Sequence, residues 1–229
     1  WTIHTDNLTT YQSAEEVARI YKTFVNLDNS RFLQADMKSE LAGIVTYTNG
    51  VCPLYSGWDI FEDIPKIFSN LDIPGNLFLI SDKNVYSLYG PEVEKYIAST
   101  GKQVTSYQIE PGEHNKTFNT ISNVYRWLAE SKAQRQDTVV ALGGGVVGDM
   151  AGFVAATYNR GLGFIQIPTS LAAMVDASVG GKTAVDLPEG KNLVGAFYQP
   201  KVVIADVSTL RSLPYRETME GWAEAIKHG

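Results

Sequence analysis

The stretch GGGVVGDMAGFVAATYNRG, residues 143–161, sets three consecutive glycines directly behind the apolar run 138–142. A further glycine, Gly148, follows two valines, and Asp149 comes next. This pattern predicts a buried strand, a tight turn and then a helix that begins at about Gly148. Such a turn directs backbone N–H groups out of the helix N-terminus, and glycine lets an anion approach the backbone closely. The stretch therefore indicates a phosphate-binding loop, with a ligand-free strand–helix turn as the alternative.

The spacing of the glycines only partly identifies the class of ligand. The loop contains a G-x-G-like element, but it is not the usual dinucleotide fingerprint, in which an acidic residue follows about 20 positions later. It also lacks the G-K-[S/T] of a P-loop. The loop alone therefore predicts a nucleotide and leaves its identity open.

Strand-like and helix-like segments alternate on both sides of this loop. Strands are predicted at 43–48, 76–82, 103–110, 137–142, 163–168 and 201–206. Helices are predicted at 58–71, 91–100, 117–131, 170–178 and 215–229. This alternation is typical of an α/β fold in which a mostly parallel sheet carries helices on both faces.

Composition and charge exclude several classes of protein. Of the 229 residues, 44% are hydrophobic and 19% are charged, which suits a globular chain with a substantial core. The net charge is −6 and no basic stripe is present, so a nucleic-acid partner is not expected. No apolar run approaches the roughly 20 residues of a membrane span. The single cysteine, Cys52, excludes an internal disulfide and favours a cytoplasmic location.

A group of charged residues follows the loop, with Lys182 and Lys191 in what we interpret as glycine-containing turns. Asn192 lies beside the second lysine, and Asp176 precedes the first. Lysine is a compact cation that suits phosphate, so two such turns beside a nucleotide loop predict a phosphorylated substrate next to a cofactor. For either lysine alone, a solvated surface charge is the alternative.

Several longer motifs carry a resemblance to a known family. They are QIPTSLAAMVDASVGGKTAV (166–185), GKNLVGAFYQPK (190–201), LPYRETMEGWAEAIKHG (213–229), PGEHNK (111–116) and the glycine loop itself. Together they resemble 3-dehydroquinate synthase from about Gly43 to Gly229. The resemblance implies a Rossmann-like N-terminal domain, a helical C-terminal domain that is absent from this sequence, bound NAD, a divalent metal (zinc or cobalt) and a homodimer.

The resemblance also implies a reaction. A phosphorylated keto-acid sugar, 3-deoxy-arabino-heptulosonate 7-phosphate, would be converted to 3-dehydroquinate and phosphate. NAD would transiently oxidise a ring hydroxyl, phosphate would leave by β-elimination, and the hydride would return before ring opening and an aldol closure. The cofactor would supply the hydride chemistry and the protein would orient it.

Site residues follow from the same resemblance, position by position. Cofactor contacts are implied for Asp82, Asn84, Glu113, Lys116, Gly144, Gly145, Val146, Val147, Gly148, Asp149, Thr169, Ser170, Lys182, Lys191, Thr209, Leu210, Arg211 and Ser212. Catalytic, substrate-contacting positions are implied for Arg160, Asp176, Lys182, Asn192 and Lys227. Among these, Arg160 would reach the phosphate of the substrate in the neighbouring subunit.

One metal ligand is implied, Glu224, with Lys227 and Glu220 on the same face of the final helix. A catalytic zinc usually takes three protein ligands, and the resemblance implies that two histidines from later in the protein supply the others. His228, four residues after Glu224, is not expected to bind the metal. Without the resemblance, Glu224 and Lys227 are interpreted as a surface helical ion pair.

The first forty residues differ from the rest of the chain. WTIHTDNLTTYQSAEEVARIYKTF, residues 1–24, resembles the end of shikimate kinase, which implies a kinase–synthase fusion; an ordinary N-terminal extension is the alternative. We therefore expect an extension or linker at 1–42 and an NAD-binding domain at 43–229, cut at the start of the metal-binding domain. Since the chain begins with Trp1, we expect it to derive from a longer reading frame. The piece alone is expected to bind NAD and not to catalyse.

Three alternative functions are left open by the sequence. The first is a polyol or glycerol-phosphate dehydrogenase of the same superfamily, which would release NADH. The second is another sugar-phosphate cyclase with a different product. The third is a non-catalytic NAD-binding module.

Overall fold

A computed structural model describes residues 38–48 and 50–228, without the side chain of His228. The predictions for residues 1–37, including the resemblance to shikimate kinase, lie outside the described residues. Within those residues, the main sheet has seven strands in the order β1-β2-β9-β6-β5-β3-β4. Its strands are β1 (Glu40–Tyr47), β2 (Gly50–Gly57), β3 (Leu77–Asp82), β4 (Val104–Ile109), β5 (Thr138–Gly143), β6 (Gly163–Pro168) and β9 (Val202–Asp206). All neighbours in this sheet are parallel except β1 and β2.

The strands lie where buried apolar residues run without interruption. In β5 every residue is buried, as expected for a central parallel strand covered on both faces. Alternate side chains of this strand enter two separate cores, with Val140 on one face and Val139 on the other. The prediction of an α/β fold with helices on both faces of a mostly parallel sheet is confirmed.

The helices cover both faces of the sheet. They are α1 (Ile64–Leu71), α2 (Lys83–Ala98), α3 (Phe118–Glu130), α4 (Gly145–Thr157) and α5 (Tyr215–His228). Residues of α1 and α2 pack into the core that contains Val140, whereas α3 and α4 pack into the core that contains Val139. Short 3₁₀ turns and the π-helical turn Ala173–Ala177 complete the connections. In the part of the chain that the structure describes, no helix is long and apolar enough to cross a membrane.

Helix α4 begins earlier than the sequence predicts. The sequence predicts a start at about Gly148, but the helix starts at Gly145, directly after Gly144 in an extended conformation. Glycine has a low helix propensity, which argues against its presence in the first turn of a helix. The early start nevertheless places the side chain of Val147 in the core, where it is buried. Tertiary packing therefore overrides local propensity, and the helix N-terminus lies immediately behind strand β5.

The prediction that Lys182 and Lys191 lie in turns is wrong. Both residues belong to an antiparallel hairpin outside the main sheet, formed by β7 (Lys182–Leu187) and β8 (Gly190–Phe197). The glycines that suggested turns lie in front of β7 and inside β8. Val185 and Val194 face each other across the hairpin and pack against the core beside α4. Cross-strand pairs of this kind stabilise the hairpin. The neighbouring glycines weaken the local sequence pattern that would otherwise predict its two strands.

Cys52 provides a first testable prediction. Its thiol is buried, with a relative exposure of 2%, and burial raises the pKa of Cys52 to about 12. Only the thiolate reacts, so about one part in ten thousand is reactive at pH 8. A disulfide reagent such as DTNB is therefore expected to leave the folded chain unmodified and to titrate one thiol after unfolding in guanidinium. Rapid reaction under native conditions would contradict this placement of β2.

Candidate functional site

The order of the strands creates a crevice between β3 and β5. From β3 the chain continues to β4 on one side, and β5, β6 and β9 follow on the other side. Ser81 lies opposite Leu142, so Asp82 and Gly143 end neighbouring strands at the same edge of the sheet. Ligands of open α/β sheets bind outside the carboxyl ends of the strands at such a point. A cavity of about 1180 Å³ lies there.

The glycine loop forms one wall of this cavity. Gly144 is the N-cap of helix α4 and has no side chain that could bond the first N–H groups. Gly145, Val146 and Val147 form the first turn and line the cavity. These N–H groups have no partner inside the helix and lie at the positive end of its dipole. A glycine-capped helix end that faces a cavity is an anion-binding arrangement.

Thirteen of the residues implied by the resemblance line this cavity. They are Asp82, Asn84, Glu113, Lys116, Gly144, Gly145, Val146, Val147, Asp149, Thr169, Ser170, Asn192 and Ser212. They come from four different strand ends, the hairpin and the turn that precedes α5. Asp82 also caps helix α2, because its Oδ1 accepts hydrogen bonds from the backbone N–H groups of Asn84 and Val85.

A second cavity of about 470 Å³ adjoins the first and shares Asp149 and Asn192 with it. Asp176 and Lys182 line this second cavity. Their side chains form an ion pair, with 3.3 Å between Lys182 Nζ and Asp176 Oδ1. Asp176 lies in the π-helical turn, a distortion that often occurs at functional sites. The two cavities could therefore hold a cofactor and a smaller polar ligand side by side.

Ion pairs around the cavities differ in burial. Lys191 and Glu113 are paired at 3.0 Å, but the lysine side chain is 70% exposed and its pKa is raised chiefly by a hydrogen bond to Glu113. Lys116 is buried, and its Nζ lies 2.5 Å from Asp149 Oδ2. Burial raises the pKa of Asp149, while the hydrogen bond from Lys116 opposes that rise. Exposed lysines can exchange their partner for a ligand at little cost, whereas the buried lysine cannot.

Comparison with known proteins identifies the fold family. The sequence profile of the 3-dehydroquinate synthase N-terminal family matches residues 106–220, which is half of the chain. The chain belongs to the 3-dehydroquinate synthase family. A 3-dehydroquinate synthase of Pelotomaculum thermopropionicum is 49% identical over 177 residues, covering 77% of this chain and 48% of that protein. The chain thus spans about half the length of the curated relatives it matches.

Solved structures agree with this assignment. A 2-deoxy-scyllo-inosose synthase in complex with carbaglucose-6-phosphate, NAD+ and Co²⁺ has 28% identity, a TM-score of 0.75 and coverage of 82% of this chain and 50% of that chain. The 2-epi-5-epi-valiolone synthase of Streptomyces hygroscopicus, with NAD+ and Zn²⁺ bound, has 27% identity, a TM-score of 0.71 and coverage of 80% and 50%.

Some residues implied by membership of the 3-dehydroquinate synthase family lie outside the two cavities. They are Gly148, Arg160, Lys191, Thr209, Leu210, Arg211, Glu224 and Lys227. A Cβ on Gly148 would meet Gln166 Oε1 at 2.9 Å, so this glycine permits close packing of α4 on β6. Arg160 is exposed and has a left-handed backbone with φ 64°. Their roles in binding stay predictions.

The final helix carries the implied metal ligand. Glu224 Oε2 lies 2.9 Å from Lys227 Nζ, which is the helical ion pair that the sequence offered as the alternative. Two other acids of this helix, Glu217 and Glu220, line the main cavity. Among the residues that the structure describes, no group of three or more histidine, cysteine, aspartate or glutamate side chains could hold a metal ion. Glu224 as a metal ligand stays a prediction.

Sequence reasoning missed Tyr89. Its hydroxyl is 2.7 Å from Ser212 Oγ and 3.2 Å from the carbonyl oxygen of Thr209, so it ties helix α2 to the turn Val207–Ser212. Its ring packs edge-to-face on Phe61. No local signal marks this tyrosine, since the partners of its hydroxyl lie about half the chain away.

Proposed function

We propose that this chain forms the NAD-binding half of a 3-dehydroquinate synthase, which converts 3-deoxy-arabino-heptulosonate 7-phosphate to 3-dehydroquinate and phosphate. The observation that carries the proposal is the uncapped, glycine-rich N-terminus of α4, which opens into the cavity at the crevice of the sheet. Membership of the family supports the same assignment. A dehydrogenase of the same superfamily is not favoured, because a relative named 3-dehydroquinate synthase is 49% identical.

The main cavity suits NAD in size and in chemistry. The pyrophosphate would lie at the N–H groups of Gly145, Val146 and Val147. The adenosine end would lie toward Asp82 at the end of β3, where a carboxylate suits ribose hydroxyls. Two related cyclases of known structure are described with NAD+ bound, which supports this cofactor.

The second cavity would receive the phosphorylated keto-acid sugar. Lys182 is exposed and would exchange part of its interaction with Asp176 for an anionic group of the substrate. Asp176 would then accept a hydrogen bond from a substrate hydroxyl. Asn192, shared by the two cavities, would hold the substrate against the cofactor. Orientation of this kind contributes strongly to catalysis when the reacting atoms are held in contact.

The proposed reaction needs a reversible hydride acceptor, and bound NAD supplies that chemistry. The residues of this chain bind and orient the reactants, and Lys182 counters the negative charge of the substrate. The described residues do not complete a site for zinc or cobalt, so we assign no step to a metal. Glu224 would contribute one ligand, and the remaining ligands would come from other residues.

Further properties of the parent protein are part of the same proposal. A homodimer would let the exposed Arg160 reach the substrate phosphate of the neighbouring subunit. The segment before strand β1 would be an extension that links to a shikimate kinase, and the NAD-binding domain would begin with β1 at Glu40 rather than at Gly43. We propose a cytoplasmic location.

The assay that tests the function follows phosphate release. A protein that contains this chain, supplied with the heptulosonate phosphate, NAD and Zn²⁺ or Co²⁺, is expected to release one phosphate per substrate without net formation of NADH. Accumulation of NADH would instead support the polyol or glycerol-phosphate dehydrogenase. Phosphate release with a product other than 3-dehydroquinate would support another cyclase, and NAD binding without any turnover would support a non-catalytic module.

Tyr89→Phe tests the cofactor site without removing an aromatic ring. Loss of the hydroxyl frees the turn Val207–Ser212, so the affinity for NAD is expected to fall about 3- to 10-fold, as for one hydrogen bond. The matched control is Tyr86→Phe in the same helix, whose hydroxyl bonds Glu94 and Ser106 away from the main cavity. Calorimetric titration should show weaker binding only for Tyr89→Phe, and equal affinities would refute the role of this tyrosine.

A further inference from the structure

Lys116 is a buried lysine that joins three separate parts of the fold. Its side chain is 3% exposed, and its Nζ lies 2.5 Å from Asp149 Oδ2 and 2.5 Å from Asn192 Oδ1. Asp149 belongs to helix α4, and Asn192 belongs to strand β8 of the hairpin. Lys116 itself ends the short turn Glu113–Asn115. One ammonium group thus connects the glycine-loop helix to the hairpin.

The backbone around Lys116 holds the same hairpin. The carbonyl oxygen of Lys116 accepts a hydrogen bond from the N–H of Asp186 at 2.9 Å, and Thr117 forms a parallel bridge with Asp186. Asp186 Oδ1 in turn accepts a hydrogen bond from the N–H of Asn192 at 2.8 Å. Backbone and side-chain contacts therefore converge on one region, where β7 and β8 pass the helix.

The conformation of Asn192 indicates why such a contact is needed. Its φ is 56°, in the left-handed region that asparagine tolerates better than most residues but does not prefer. The residues on either side, Lys191 and Leu193, are exposed and give this part of β8 little packing. A strand segment that contains a left-handed residue and has little packing needs a contact with another element to keep one conformation.

Lys116 also differs from the other lysines near the cavities. Lys182 and Lys191 are 59% and 70% exposed, so each can turn toward a ligand. Two acceptors already occupy the ammonium of Lys116, and moving it would leave the partly buried carboxylate of Asp149 without its partner. A direct ion pair with a phosphate is therefore a poor use of this residue.

We propose that Lys116 is a positioning residue, which clamps Asp149 to Asn192 and thereby holds the hairpin β7–β8 in place beside the two cavities. The hairpin carries Lys182, Lys191 and Asn192, so the clamp determines where these side chains lie. The clamp is a property of the ligand-free fold, and only its consequence for ligand affinity rests on the proposed function.

Amide hydrogen exchange of the ligand-free chain tests the clamp. In Lys116→Met, exchange across Gly190–Phe197 is expected to accelerate at least about 10-fold more than exchange in β5, because β8 loses its side-chain attachment to α4 while the central sheet keeps its pairing. Asn192→Ala removes only the hairpin end of the clamp, leaves the pair of Lys116 and Asp149 intact, and is expected to show the same local acceleration. This second variant answers the question if Lys116→Met does not fold.

Lys102→Met is the matched control. Lys102 is a partly buried lysine whose Nζ donates to the carbonyl of Gly75, away from the hairpin. Its replacement should leave exchange in the hairpin unchanged. Equal acceleration in the hairpin and in β5, or unchanged exchange of the hairpin in Asn192→Ala, would overturn the proposal.

An NAD titration of the same variants separates the two proposals. If Lys116 positions the hairpin, Lys116→Met and Asn192→Ala should both bind NAD more weakly and both show the local acceleration. Weaker binding in Lys116→Met without faster exchange would indicate a direct contact with the ligand and would overturn the clamp. If the wild-type chain binds no NAD, the proposed function fails, while the exchange result still decides the clamp.

Discussion

Replacement of Gly145 by aspartate is expected to eliminate NAD binding while leaving the fold as stable as before, or slightly more stable. A Cβ at this position would have Ala177 Cβ as its nearest neighbour, at an ordinary 3.5 Å, so the folded chain has room for a side chain. An acidic residue in the first turn of α4 would interact favourably with the helix dipole, by about 0.5 kcal/mol. The same carboxylate would lie where we place the pyrophosphate, and charge repulsion should weaken binding at least about 100-fold.

The opposite signs of these two effects make Gly145→Asp informative. Calorimetric titration gives the affinity for NAD, and denaturation in urea gives the free energy of unfolding. Gly145→Asn is the matched control, because it has nearly the same size without the charge. It should bind NAD more weakly than the wild type and more tightly than Gly145→Asp. Wild-type affinity in Gly145→Asp would place the cofactor elsewhere.

Asp206→Ala is expected to cause a large loss of stability. The carboxylate is buried at the end of β9 and accepts hydrogen bonds from the backbone N–H groups of Asp59, Ile60, Phe61 and Ser208, at 2.7–3.2 Å. Alanine would leave these donors without their acceptor in a buried region. A decrease of about 3–5 kcal/mol in the free energy of unfolding is expected.

Two further variants control this experiment. Asp206→Asn keeps one carbonyl oxygen as an acceptor and should lose roughly half as much stability. Asp82→Ala removes an aspartate that accepts only two backbone N–H groups, as the N-cap of α2, and should cost about 1 kcal/mol. Urea denaturation of the three variants measures how much each one lowers the free energy of unfolding. A smaller loss in Asp206→Ala than in Asp82→Ala would contradict the role assigned to the buried carboxylate.

Elements with a strong local pattern could be predicted from the sequence. The apolar runs at β3, β5, β6 and β9 identify the parallel strands, and the glycines after β5 identify the turn that leads into helix α4. Strand β2 and the hairpin β7–β8 were missed, because glycine and proline within them interrupt the pattern that marks a strand. Their stability comes from pairing with distant residues, such as Leu54 with Val203, and no local window contains that information.

The site shows the same limit. Family motifs locate Gly144–Asp149 and Asp82, and the order of the strands brings these two regions to one crevice. The sequence does not reveal that Lys116 is buried, since its burial depends on α4 and the hairpin meeting over it. Tyr89 was missed for a related reason, because its hydroxyl bonds a turn about 120 residues further along the chain. Residues that act by positioning other residues can be identified only from the tertiary structure.

The central claim is that the cavity over the glycine loop binds NAD, and amide chemical-shift mapping tests it most directly. Titration of the isotope-labelled chain with NAD should shift the amide signals of Gly144–Asp149 and of Thr169 and Ser170, in a saturable manner. The amides of β1, on the far edge of the sheet, should stay unchanged. Unchanged signals at Gly144–Asp149 with millimolar NAD, or shifts confined to another surface, would contradict the claim.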